Sequence, residues 1–131
     1  MANKKGSLVR KQYYFRPSSR GLLAWDVDRL VQLSSHLPRK HVPLSTVREL
    51  DETCFGEEEP LTWRTMLEHM KLIDEADLSF PIILSSSGAV MDGMHRVMKA
   101  ARQGRDDIAA VQFGEDPEPD HVGVGPKELP Y

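Results

Sequence analysis

Apolar positions along the chain change period several times, and each change marks an element. Between Thr62 and Asp77, Trp63, Met66, Leu67, Met70 and Ile73 recur at helical spacing with charged residues opposite. That pattern predicts an amphipathic helix whose stripe belongs to the core rather than to a cofactor box. A second helix is expected over Asp26–Ser35, with Leu23, Val27, Leu30 and Val31 on one face, Asp26 as N-cap and Trp25 stapled onto Leu30. Pro38 ends it. Strand-like runs occur at His41–Leu44, Pro81–Leu84, Ala89–Met91 and Ile108–Phe113. The middle two are expected to pair as a hairpin across Ser85–Gly88. Ser45–Leu50 reads as a turn or a single helical turn, with Thr46 and Glu49 at capping-box spacing. Tyr13–Phe15 suits a short strand or an aromatic anchor.

The period changes most sharply at Asp92-Gly93, where strand alternation gives way to a helix over Asp92–Gln103 with Gly104 as its stop. These elements predict a small α+β domain: a short mixed sheet packed by about three helices. The expected organisation is an N-terminal extension over 1–40 with one helix packed on the core, a core over 41–113 and an irregular acidic Pro/Gly-rich tail over 114–131. Leu129-Pro130-Tyr131 at its end is a candidate docking segment.

Composition narrows the class. The 131 residues are 40% hydrophobic and 28% charged, in the usual range for one globular domain. No apolar run approaches the roughly 20 residues of a membrane-spanning helix. A single cysteine, Cys54, makes an intramolecular disulfide impossible, which fits a cytoplasmic location. Net charge is −3 and unevenly spread: Lys4, Lys5, Arg10, Lys11, Arg16 and Arg20 lie in an N-terminal arm without acids. The tail is acidic. A basic arm can touch nucleic acid, but an acidic chain is a poor non-specific binder, so nucleic acid is not the favoured partner. His36, His41, His69, His95 and His121 show no metal-ligand spacing with Cys54, and no metal site is expected. Oligomeric state is open; Tyr13, Tyr14 and Trp25 suit a dimer patch or core burial equally.

The candidate chemistry sits at the sharpest junction, in Asp92-Gly93-Met94-His95-Arg96. A helix that starts after a tight turn leaves backbone N–H donors unpaired, and its dipole favours an anion there. Gly93 allows close approach. Arg96 can fork two hydrogen bonds to phosphate oxygens. His95 can donate another or move a proton. Asp92 can cap the helix, hold His95, hold magnesium or act as a base. Met94 and Val97 are expected to face the core.

The order Pro81-Ile-Ile-Leu, then Gly88-Ala-Val-Met-Asp-Gly-Met-His-Arg-Val-Met-Lys-Ala-Ala, then Ile108-Ala-Ala-Val resembles the core of the ParB/sulfiredoxin superfamily over about residues 41–113. The resemblance implies a ParB/sulfiredoxin-like fold and nucleotide binding. The turn Gly93, Met94, His95, Arg96 would grip the phosphates of ATP or CTP with magnesium. Three departures qualify it. Partition proteins carry an acidic residue and an arginine where this chain has Met94-His95. Met94 stands where sulfiredoxins carry a cysteine, and a thioether cannot act as the attacking thiolate, so sulfinic-acid reduction is not expected. The chain after Phe113 is too short for the DNA-reading and dimerisation domains of partition proteins. Free-serine kinases, which share the fold, use a glutamate base; Glu49, Asp51 and Glu52 lie in the corresponding region. The expected function is therefore a nucleotide- or phosphate-binding module acting as a switch. One alternative is a small nucleotide-dependent phosphotransferase or NTP hydrolase with Asp92 or His95 as acid-base group. The other is a nucleic-acid accessory protein using the basic arm.

Overall fold

A computed structural model describes residues 11–53 and 61–131. In chain order the described elements are β1 (Tyr13–Arg16), β2 (Leu23–Asp26), α1 (Val27–Ser34), β3 (Lys40–Pro43), α2 (Trp63–Glu75), β4 (Ile82–Leu84), β5 (Val90–Asp92), α3 (Met94–Arg102), β6 (Asp107–Gln112) and β7 (His121–Val122). Two 3-10 turns, Leu44–Thr46 and Arg48–Asp51, follow β3, and a third, Pro126–Glu128, follows β7. The α+β class is as expected. The chain divides into two compact units: residues up to Ser35 with Pro117–Tyr131, and His36–Asp116.

The first unit is an antiparallel sheet in the order β1-β2-β7 with α1 beside it. Trp25 is its anchor. The ring is buried, its Nε1 donates to the Pro117 carbonyl at 2.8 Å, and the Arg16 guanidinium lies 4.8 Å from its centroid. A cation over a desolvated indole face is a favourable pairing. Asp26 caps α1 as expected, accepting from the Asp28 N–H at 2.9 Å. The apolar face of α1 differs from expectation. Leu23 belongs to β2, Val31 is exposed, and Leu30 and Ser34 are the buried positions of the helix. The four-residue spacing of Leu23 and Val27 spans a strand-to-helix change at Asp26, so it does not describe one helical face. The segment after Phe113 contributes β7, paired to Leu23 and Ala24, and a buried Leu129.

The second unit holds a four-stranded mixed sheet in the order β3-β6-β4-β5. β4 and β6 run parallel; the other pairs are antiparallel. A parallel pair needs a crossover, and α3 supplies it between β5 and β6. Leu44, Val47, Ile82, Leu84, Val90, Val97, Ala100, Ile108 and Ala110 form one buried cluster. The β4–β5 hairpin crosses Ser85–Gly88 as expected. Ser85 is buried because its N–H donates to Ala89 and its hydroxyl accepts from the Ala89 N–H, satisfying both groups within the turn.

The helix over 63–75 forms with Thr62 as N-cap, and Thr65 closes the capping box. Its stripe is not core. Ile73 alone is buried, whereas Trp63, Met66, Leu67 and Met70 are exposed. The helix lies on its Thr65–His69–Ile73 side, one third of a turn from the stripe that periodicity selects. Thr46 and Glu49 form no capping box. Thr46 Oγ1 donates to the Pro43 carbonyl, and Glu49 reaches β5 instead. Cys54 and the acidic loop 57–60 lie outside the described residues.

Candidate functional site

β5 delivers the chain to Gly93, whose φ of 107° is open to glycine and costly for other residues. Space is also short. A Cβ here would lie 2.7 Å from Ile82 Cγ2 and 3.3 Å from Arg96 Nε. Glycine is thus required by the turn, by β4 beneath and by the Arg96 side chain folded over it. Gly93 is the N-cap of α3, and Asp92 is the last residue of β5. Asp92 therefore does not cap the helix. The left-handed turn at Gly93 carries the chain past the point where the Asp92 carboxylate can reach the first helical N–H groups.

Asp92 instead accepts from Arg96 Nη2 at 3.0 Å, and Arg96 Nη1 reaches the Pro81 carbonyl at 3.3 Å. Both side chains are largely buried, at 17% and 19% exposure. The pair ties the end of β5 and the approach to β4 to the first turn of α3. No side chain caps α3 and its first turn carries no acid. Arg96 places a cation at the positive end of the helix dipole, where cations are disfavoured. The C-terminal end follows the usual rule, with Lys99 and Arg102 in the last turn. Arg105 N–H bonds to Ala100 and Gly104 N–H to Ala101, a Schellman closure on Gly104 that ends the helix where the sequence predicts.

His95 lies half-buried beside His69 of α2. The rings stack with centroids 5.3 Å apart, and His69 Nδ1 and His95 Nε2 are 3.0 Å apart. One of these nitrogens donates and the other accepts, so the two tautomers are coupled. Nothing in the sequence signalled this pair, because the residues are 26 positions apart on different helices. Met94 packs against the core and Val97 is fully buried, as expected.

Asp77, just beyond α2, is held below its ordinary carboxylate pKa chiefly by the Ser79 hydroxyl and N–H, with Lys99 and Arg96 adding to the effect. Lys99 Nζ donates to the Asp74 and Ala76 carbonyls at 2.9 and 2.7 Å, capping α2 from α3. Of the three acids that follow β3, Glu49, Asp51 and Glu52, Glu49 is the one brought inward. Its Oε2 accepts from the Val90 N–H at 2.7 Å and its Oε1 is buried without a hydrogen-bond partner. Asp51 and Glu52 are exposed.

Other candidates recede. An open cleft of about 370 Å³ is lined by Pro38, Lys40, Ser86, Gln112, Phe113 and Gly114. Its donors are already used, Lys40 by the Gln112 amide oxygen and the Ser86 N–H by Asp116. Of the basic arm, residues 1–10 lie outside the described residues, Lys11 pairs with Asp26 and Arg16 covers Trp25. Among the described residues no three His, Cys, Asp or Glu are grouped to hold a metal ion, and no helix is long and apolar enough to cross a membrane. Compared with protein-family models, with curated proteins and with solved structures, the chain matches none.

Proposed function

We propose that the turn Gly93–Arg96 binds a phosphate group of a nucleotide and that the protein acts as a binding or switch module. One observation carries the reading: an uncapped helix start, entered through a positive-φ glycine, with a cation and no acid in its first turn. Such an end offers N–H donors and the positive end of the helix dipole to an anion, with the Arg96 charge shared with Asp92. The backbone N–H groups of Met94, His95 and Arg96 are the donors, Gly93 gives access and the Arg96 guanidinium supplies charge. The resemblance to the ParB/sulfiredoxin superfamily favours ATP or CTP. Magnesium would arrive on the nucleotide phosphates.

Arg96 holds Asp92 in the free protein, so a phosphate competes with that carboxylate for the guanidinium. This exchange gives the switch its physical form: ligand binding loosens the tie between β5 and α3. Calorimetry with ATP, CTP and GTP plus magnesium tests the reading. Binding is expected for the wild type and is lost in Arg96→Ala, with thermal unfolding run in parallel because Arg96 also holds Asp92 and Pro81. Absence of heat from the wild type at millimolar nucleotide removes the proposal.

A second reading, phosphotransfer or NTP hydrolysis, is favoured by the His69 contact. A ring nitrogen hydrogen-bonded at 3.0 Å fixes the orientation of His95 as an acid-base group requires. Release of phosphate from labelled nucleotide, retained in Asp92→Asn but lost in His95→Gln, supports it. Binding without turnover leaves the switch alone.

A further inference from the structure

The exposed stripe of α2 has no use in the phosphate site. Trp63 is 85% exposed and Leu67 64%, with Leu61, Met66 and Met70 beside them. Single exposed apolar residues are ordinary, but a continuous stripe containing a bare tryptophan marks an interaction surface. Beside it, one residue further round the helix, runs a stripe of charges at the same spacing: Arg64, Glu68, Lys71 and Glu75. Among the described residues, none of their four side chains makes a hydrogen bond or ion pair.

The order of those charges names the partner. Read forwards it is plus, minus, plus, minus; read backwards it is the opposite. A second copy laid antiparallel, with its two-fold axis passing between His69 and Met70, sets Arg64 against Glu75 and Glu68 against Lys71, and each pair occurs twice. A parallel copy would set like against like. We infer that α2 is an isologous dimer surface, with α2 of one protomer packed antiparallel on α2 of its partner.

Trp63 then sits at each end and Met66, Leu67 and Met70 at the centre. Asp74, the acid nearest the stripe, is already neutralised by Arg102. Taking about 150–250 Å² for an aromatic and less for each aliphatic, the stripe buries roughly 600 Å² a side, so both sides together reach the range of about 1,200 Å² where specific interfaces begin. A reversible dimer follows rather than an obligate one.

Sedimentation equilibrium of the full chain from about 1 µM to 1 mM tests the inference. The wild type is expected to pass from monomer to dimer across that range, with Trp63 fluorescence shifting to the blue as it does. Trp63→Ser is expected to weaken association at least about 30-fold, because under the two-fold it removes a large aromatic contact at both ends, with unchanged circular dichroism. Glu68→Lys alone sets Lys against Lys at two places and is expected to weaken it about five-fold. The double variant Glu68→Lys with Lys71→Glu is expected to restore it. A chain that stays monomeric throughout, including one that uses the stripe for an unrelated protein, overturns the inference. So does a dimer indifferent to Trp63→Ser, or one that the double exchange fails to rescue.

Discussion

Helices α2 and α3 lie against each other in one unit, both amphipathic, yet they place their apolar stripes differently. α3 buries Val97 and Ala100 completely, whereas α2 buries Ile73 and displays Trp63, Leu67 and Met70. α3 is a crossover between two strands of the same sheet, so its apolar side has no other place to go. α2 is joined by loops and touches the rest of the unit mainly through α3. Its seat uses only the side of Thr65, His69 and the buried Ile73, and Lys99 fastens its end. Periodicity shows that a stripe exists; connectivity decides what the stripe meets.

Matched substitutions break this contrast most strongly. Val97→Asp puts an unpaired charge into the shared core and is expected to cost more than about 4 kcal/mol, enough to unfold many domains of this size. Leu67→Asp on α2 is expected to change monomer stability by no more than about 0.5 kcal/mol. Urea unfolding at low protein concentration compares them, and similar losses would abolish the distinction. Next in size is Gly93→Ala at the start of α3. The Cβ meets Ile82 Cγ2 at 2.7 Å and the backbone is at a positive φ, so a loss of about 2–4 kcal/mol is expected in the same assay. Smaller again is Lys99→Met, which keeps the apolar stem but frees two carbonyls at the end of α2. About 1 kcal/mol is expected, with faster hydrogen exchange confined to the last turn of α2.

Much of the second unit was legible in the sequence. The hairpin of β4 and β5, the crossover helix, its glycine stop and strand β6 are all local patterns, and each forms close to where the residues predict, with ends displaced by a residue or two. The cap at Asp26 was legible for the same reason. The misread features depend on contacts distant in sequence. β7 exists because His121 and Val122 pair with Ala24 and Leu23, far away in the sequence. The His69–His95 pair depends on how two helices pack. At the candidate site the residue types were legible but their roles were not. The sequence placed Asp92 at a helix start, and one positive-φ residue moved the cap to Gly93 and turned the carboxylate to Arg96.

The least expected effect lies in the first unit and is read by acid. Burial pushes the Asp26 carboxyl up, but the Lys11 ammonium and the Asp28 N–H outweigh it and hold its pKa below the ordinary 3.8. A carboxyl depressed by folding adds stability above its unfolded pKa and loses it as pH falls through the folded value. The melting temperature is therefore expected to drop more steeply below pH 3.8 for the wild type than for Asp26→Asn, which keeps the cap geometry but has no charge to lose. Equal slopes would show that Lys11 contributes nothing there.

The claim that the start of α3 holds a phosphate can be read atom by atom. In a ¹⁵N-correlated NMR titration with magnesium nucleotide, the amides of Gly93, Met94, His95 and Arg96 are expected to shift together and to saturate with one dissociation constant. The Arg96 guanidinium signal should move with them as it leaves Asp92. Shifts that cluster elsewhere, or no shift of these four amides at millimolar nucleotide, would contradict the account.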